Sequence, residues 1–145
     1  MKTILILGAG LSASSMIRYL LNASKEQGWS VRIVDRDLER VEKLVDGFSE
    51  AKALSFNALD RAQRIEEIQN SELVISMLPA RFHVEIAQDC ILLHKNLITP
   101  SYISDEMRAL DKDAKDSGIV IMNEIGVDPG IDHMSAMKII DHIKV

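Results

Sequence analysis

Two stretches of this sequence hold residues whose types and spacing could do chemistry. The first is Gly8-Ala9-Gly10-Leu11-Ser12-Ala13, directly after the apolar run Thr3-Ile4-Leu5-Ile6-Leu7. It is a G-x-G-x-x-A pattern between a strand-like run and a helix-like segment. Gly8 allows a tight turn, Gly10 lets the backbone come close to a diphosphate, and Ala13 is small enough for a helix to pack on the sheet. The free N–H groups and the positive end of that helix would then face the phosphates. A glycine-rich turn without a ligand is the plainer alternative. The strand before it and the helix after it favour dinucleotide binding.

Asp35 closes the second apolar run. A carboxylate there can accept hydrogen bonds from adenosine ribose hydroxyls and would repel a 2′-phosphate, so NAD is the expected cofactor and NADP the alternative. Arg36 could pair with a 2′-phosphate or lie over the adenine. Both charges could also be solvated loop groups. Asn57, ending the third run, could reach the adenine edge, whereas Asp60 with Gln63 has the spacing of a helix cap. The fourth run exits through Met77-Leu78-Pro79. Pro79 has no N–H and suits a strand exit. That exit lies across the crevice from the glycine turn in a doubly wound sheet, near the expected nicotinamide ribose.

The second stretch combines Thr99-Pro100-Ser101-Tyr102 with Asn123-Glu124-Ile125-Gly126-Val127-Asp128-Pro129-Gly130-Ile131-Asp132-His133. Each part follows an apolar run, at the strand ends where a doubly wound sheet binds ligands. The alternatives are mundane. Asp128-Pro129-Gly130 could be a turn that starts a helix with proline in its first turn, and Asp132 and His133 could be surface residues.

The elements that must hold these stretches are legible as alternating runs. Strands are expected at residues 3–7, 31–35, 53–56, 73–77, 96–99 and 119–122, and helices at 11–27, 38–48, 61–69, 82–94, 105–116 and 131–143. Several runs are apolar without alternation, as in parallel strands covered on both faces. Ser104 is a candidate N-cap, and Gly118 sits where a helix should stop. Six strand-then-helix units predict an α/β fold, a doubly wound parallel Rossmann sheet with helices on both faces.

At 145 residues the chain is one domain, 1–145. With 17 basic and 22 acidic side chains it carries a net charge of −5, which argues against nucleic acid and anionic membrane surfaces as partners. No apolar run is long enough to cross a bilayer. One cysteine, Cys90, excludes an intrachain disulfide and a cysteine metal cluster, and no metal site is expected. A cytoplasmic location is expected. The last helical pattern has no closing cap, so the chain is expected to be the N-terminal fragment of a longer polypeptide. A bare sheet edge at that end would open a route to a homodimer.

The residues from Val74 to Pro79 with Phe82-His83, then Ser101 to Ser104, then Met122 to His133, make the sequence recognisable. It resembles the saccharopine dehydrogenase family, in particular its glutamate-forming saccharopine reductases, from the glycine turn to the last helix. The resemblance implies a nicotinamide-dependent oxidoreductase, acting on a secondary amine made from two amino acids. In that family an aldehyde such as aminoadipate semialdehyde condenses with glutamate and the imine is reduced. By the same resemblance the cofactor would meet Gly8, Gly10, Leu11, Ser12, Asp35, Arg36, Asn57, Ala58, Leu78, Ser101, Val127, Asp128 and Pro129, and the substrate Ser101, Tyr102 and Asp128. Most of the substrate domain would follow residue 145, so this polypeptide alone should bind dinucleotide but turn over little.

The sequence departs from those reductases in three places. They have a small residue where Asp35 stands, Asp where Asn57 stands, and Tyr-Thr where Ala80-Arg81 stands. These changes leave room for another amine, such as carboxynorspermidine or a lysine-type amino acid. For the chemistry, Asp128 is the expected proton acceptor and Tyr102 a hydrogen-bond partner of the substrate or its water. His83 and His133 are expected to pack or cap. A regulatory nucleotide-binding module is the reading from a different class; nothing in such modules predicts Asn123 to His133.

Overall fold

In the computed structural model residues 1–144 are described; Val145, the end of the expected domain, lies outside the described residues. The apolar runs form β1 (Lys2–Leu7), β2 (Trp29–Asp35), β3 (Ala51–Ser55), β4 (Leu73–Ser76), β5 (Asn96–Ile98) and β6 (Ile121–Met122). They pair in parallel as one sheet of order β3-β2-β1-β4-β5-β6. The helices are α1 (Ser14–Gln27), α2 (Leu38–Val45), α3 (Arg61–Gln69), α4 (His83–Leu92), α5 (Asp105–Ala109), α6 (Asp111–Asp116) and α7 (Ile131–Ile143). This is the expected Rossmann arrangement.

The run after Met1 lacks alternation because β1 is covered on both faces. Ile4 and Ile6 pack with Ile17 and Leu21 of α1 and Val41 of α2. Leu5 and Leu7 pack on the other side with Ile68 of α3, Ile86 and Cys90 of α4, and Met107 of α5. Burial pushes the Cys90 thiol up to about 12, so it stays a protonated core group rather than a nucleophile. Among the described residues no helix is long and apolar enough to cross a membrane.

Several expected boundaries move, each for a local reason. The helix expected from residue 11 begins as a 3-10 turn, Leu11–Ala13, and that expected from residue 82 follows a second 3-10 turn, Ala80–Phe82, and stops at Leu92. The second helix ends at Val45 rather than 48, because Gly47 takes a φ of +82° and Phe48 turns back onto the core. The helix expected at 105–116 breaks at Leu110, whose N–H bonds to Met107 in a tighter turn while its side chain packs inward. The third strand begins at Ala51 because it continues the ladder to Val31. The sixth shortens to two residues at the sheet edge.

A buried ion pair ties the helices on one face together. Arg64 of α3 donates from Nε to Asp89 Oδ2 of α4 at 2.8 Å and from Nη1 to the Ala58 carbonyl at 2.9 Å. Arg61 Nε donates to the other Asp89 oxygen at 3.0 Å. This network fixes the loop after β3, where the cleft described next begins.

Candidate functional site

The connection from β1 leads toward β2 and that from β4 toward β5, so the chain diverges between β1 and β4 and leaves a crevice at their carboxyl ends. Backbone bonds hold it: Gly8 N–H to Val34 O and Met77 N–H to Leu7 O, both 2.8 Å. Gly8 has a φ of +100°, and a Cβ there would lie 3.1 Å from the Met77 carbonyl oxygen. Glycine is therefore required at position 8 by the protein itself. Gly10 is different. Its φ of −63° and ψ of 174° suit any residue, and a Cβ there meets nothing within 4 Å.

Helices α2, α3 and α5 have side-chain caps, from Asp37, Asp60 and Ser104. The first 3-10 turn and α1 have none, and neither do α4, α6 and α7. Among the described residues the amides of Gly10, Leu11 and Ser12 find no protein acceptor. Free amides at a helix start, beside a glycine with open space, form a cradle for an anion. Ala13 is buried under the turn as expected, whereas Leu11 is exposed at 91%.

A cleft of about 270 Å³ opens beside the turn, with Gly8, Asp35, Arg36, Asn57, Ala58, Leu78 and Pro79 in its wall. Asp35 faces the turn: its Oδ2 accepts from Ala9 N at 2.7 Å and its Oδ1 from Asp37 N at 3.1 Å. Arg36 Nη2 donates to Asn57 Oδ1 at 2.9 Å, and the same oxygen accepts from Leu59 N at 3.2 Å. The Asn57 oxygen thus holds Arg36 against the cleft instead of standing free for an adenine. Asp60 caps α3, with Gln63 Nε2 donating to it at 2.8 Å.

The loops after β5 and β6 are cross-linked by their polar residues. Thr99 Oγ1 donates to Asn123 Oδ1 at 3.2 Å, Glu124 N donates to the Ser101 carbonyl at 3.1 Å, and Glu124 Oε1 accepts from Ile103 N at 3.1 Å. Asn123 and Glu124 therefore brace the loops. The segment from Gly126 to Gly130 closes on itself through Gly126 N to Pro129 O, and its Asp128–Pro129 bond is cis. The bracing brings Tyr102 to Asp128, with the phenol donating to Oδ1 at 2.5 Å. That hydrogen bond to a carboxylate, with some burial, pushes the Tyr102 phenol above its ordinary range. Val127 beside them is exposed.

His83, expected to pack or cap, does pack, and it does more. It is buried, and it bridges Ser76 Oγ on Nδ1 and Ser101 Oγ on Nε2, each at 2.9 Å. Nothing in its spacing revealed this, because Ser76, His83 and Ser101 come from three different elements. Burial holds its pKa below the ordinary histidine value, so the ring is neutral near pH 7. A second hollow of about 450 Å³ is lined by His83, Tyr102, Asn123 and Arg81, and Arg81 also reaches the first cleft. All these loops leave the carboxyl ends of parallel strands and so share one edge. β1 and β6 are three strand spacings apart, roughly 14 Å.

Residues 4–122 match the family described as the saccharopine dehydrogenase NADP binding domain. The chain belongs to the saccharopine dehydrogenase family. It is 38% identical over 142 residues to the NADP(+), L-glutamate-forming saccharopine dehydrogenase of Pyricularia oryzae, covering 98% of this chain and 31% of that protein. It is 34% identical to the alpha-aminoadipic semialdehyde synthase of Arabidopsis thaliana, over 97% of this chain and 15% of that protein. The apo L-Glu-forming saccharopine dehydrogenase of Saccharomyces cerevisiae superposes with a TM-score of 0.87 at 33% identity, covering 99% of this chain and 32% of that one. This chain thus spans under a third of the length of these saccharopine dehydrogenases. The family supports a nicotinamide dinucleotide as cofactor, and its NADP weighs against the NAD expected from Asp35.

Proposed function

We propose that this chain supplies the cofactor cleft and part of the active site of a saccharopine dehydrogenase-type oxidoreductase, which moves hydride at the C–N bond of an amino-acid-derived amine or imine. The observation that carries this reading is the Tyr102–Asp128 hydrogen bond, at the same sheet edge as the free amides of the glycine turn. Those amides and the open space at Gly10 fit a diphosphate, and a nicotinamide carried on it would supply or accept the hydride. The chain's own residues would manage protons and position. Tyr102, like any tyrosine, keeps its proton through neutral pH, and Asp128 raises the phenol further. It therefore acts as a hydrogen-bond donor. Asp128 has further lone pairs to take a proton from an amine or a water, and its charge favours an iminium carbon beside it.

NADP is the cofactor this reading favours, with Arg36 pairing with the 2′-phosphate and Asp35 opposing it. Asp35→Ala is expected to raise the NADP-over-NAD affinity ratio about tenfold by removing a like charge beside that phosphate. Arg36→Ala should lower the same ratio about tenfold. Calorimetric titrations of both cofactors check this, and unchanged ratios would remove these residues from cofactor choice. Titration of the unmodified chain tests the function itself. Saturable binding at micromolar to submillimolar concentration is expected; no binding of either cofactor at about 1 mM, some −4 kcal/mol, would defeat it.

The substrate carboxylates need basic groups, and we assign these to the part of the relatives that this chain does not span. In support, α7 buries no side chain, and Ile131, Met134, Met137 and Ile140 expose an apolar stripe suited to cover by further protein.

A further inference from the structure

The bridge through His83 has a direction that its surroundings decide. Ser76 is fully buried at the end of β4, and among the described residues its hydroxyl has one hydrogen-bond partner, His83 Nδ1 at 2.9 Å. A buried hydroxyl proton with no acceptor is costly, so the Ser76 proton points at Nδ1. Nδ1 is then the acceptor of the pair. The neutral ring consequently carries its own proton on Nε2. That N–H, 2.9 Å from Ser101 Oγ, donates to it. With a lone pair of Ser101 engaged by the ring, the Ser101 proton is free to point elsewhere. The opposite tautomer would draw that proton inward onto Nε2 and leave only lone pairs facing outward.

From this geometry we infer that His83 is a positioning residue: anchored by Ser76, it donates to Ser101 and turns the Ser101 hydroxyl outward as a donor to an oxygen of the bound dinucleotide. The inference rests on the cofactor reading above for its ligand, but not for its tautomer. The placement suits the role. The bridge joins the ends of β4 and β5 at the start of α4, and His83 and Ser76 are buried while Ser101 is only half-buried. The serine is therefore the end of the bridge that a ligand can reach. Both ring nitrogens are engaged by serines, so the ring acts through Ser101.

The tautomer can be read with no ligand present. In the uniformly 15N-labelled chain at pH 7.5, long-range 1H–15N correlation should show His83 with an unprotonated Nδ1 and a protonated Nε2. Loss of those peaks in His83→Gln assigns them. Ser76→Ala, which removes the donor to Nδ1, should collapse the preference into averaged shifts. A protonated Nδ1, an imidazolium, or a spectrum indifferent to Ser76→Ala overturns the inference. The second readout is affinity for NADPH. His83→Ala should weaken it about tenfold, the loss of one hydrogen bond, and Ser101→Ala should cost no more when added to it. His83→Gln, whose amide can still donate to Ser101, should recover affinity to within about threefold. Additive losses, or an unchanged affinity in His83→Ala, also overturn it. If the unmodified chain binds no dinucleotide, the cofactor reading fails while the ring spectrum still decides the tautomer.

Discussion

Gly10→Ala is expected to cut dinucleotide affinity by roughly tenfold to a hundredfold while leaving the fold as stable as before, or slightly more so. The two effects separate because Gly10 sits where glycine is not needed by the protein. Its backbone is extended at φ −63°, and a Cβ there touches nothing within 4 Å. Alanine therefore fits, and by restricting the unfolded chain it should add about 0.4–1 kcal/mol of stability. A diphosphate drawn onto the free amides of Gly10, Leu11 and Ser12 would meet that methyl. Losing one charge-assisted hydrogen bond costs about 1.5–3 kcal/mol, which sets the range of the affinity loss. Gly8→Ala is the contrast. It forces a residue into φ +100° with its Cβ 3.1 Å from a carbonyl oxygen, so binding and melting temperature should fall together. Calorimetric titration and thermal melts of the two variants check both claims. A Gly10→Ala protein that binds as tightly as its parent would show that no phosphate approaches this backbone.

Arg64→Ala is expected to cost about 3–5 kcal/mol, a large share of the 5–15 kcal/mol typical of a domain. Both members of the pair are buried, with side-chain exposures of 2% each. Truncation would leave the Asp89 carboxylate facing only Arg61 and the Ala58 carbonyl without the Arg64 donor. Replacing both residues, as in Arg64→Met with Asp89→Leu, should cost much less than either single truncation, because no charge is left stranded. Denaturant melts of the single and double variants measure this. A loss below about 1 kcal/mol in Arg64→Ala would mean that water or Arg61 already satisfies Asp89. Ala58 lies in the cleft wall, so the single variant should also weaken dinucleotide binding at concentrations where it remains folded.

The sheet and the places where ligands could lie were legible along the chain. Unbroken apolar runs can be buried only between two layers, so they specify a parallel sheet with helices on both faces. The ends of those runs then name the crevice, the glycine turn and the loops carrying Ser101 and Asp128. Caps and stops were also local: Asp60, Ser104 and Gly118 act at the helix ends where their side chains or backbone freedom place them.

Which polar groups are free and which are already engaged was not legible there, because it follows from folding. Asp35 and Arg36 are neighbours in sequence, yet the carboxylate bonds to the glycine turn and the guanidinium to Asn57. Asn123 and Glu124 stand in the same polar stretch as Asp128, but they brace two loops while Asp128 meets Tyr102. His83 gained its place between two serines from elements far apart in the chain. Hydrophobic period is written along the backbone and can be read there. Hydrogen-bond partners across strands depend on register and loop closure, which exist only once the sheet has formed.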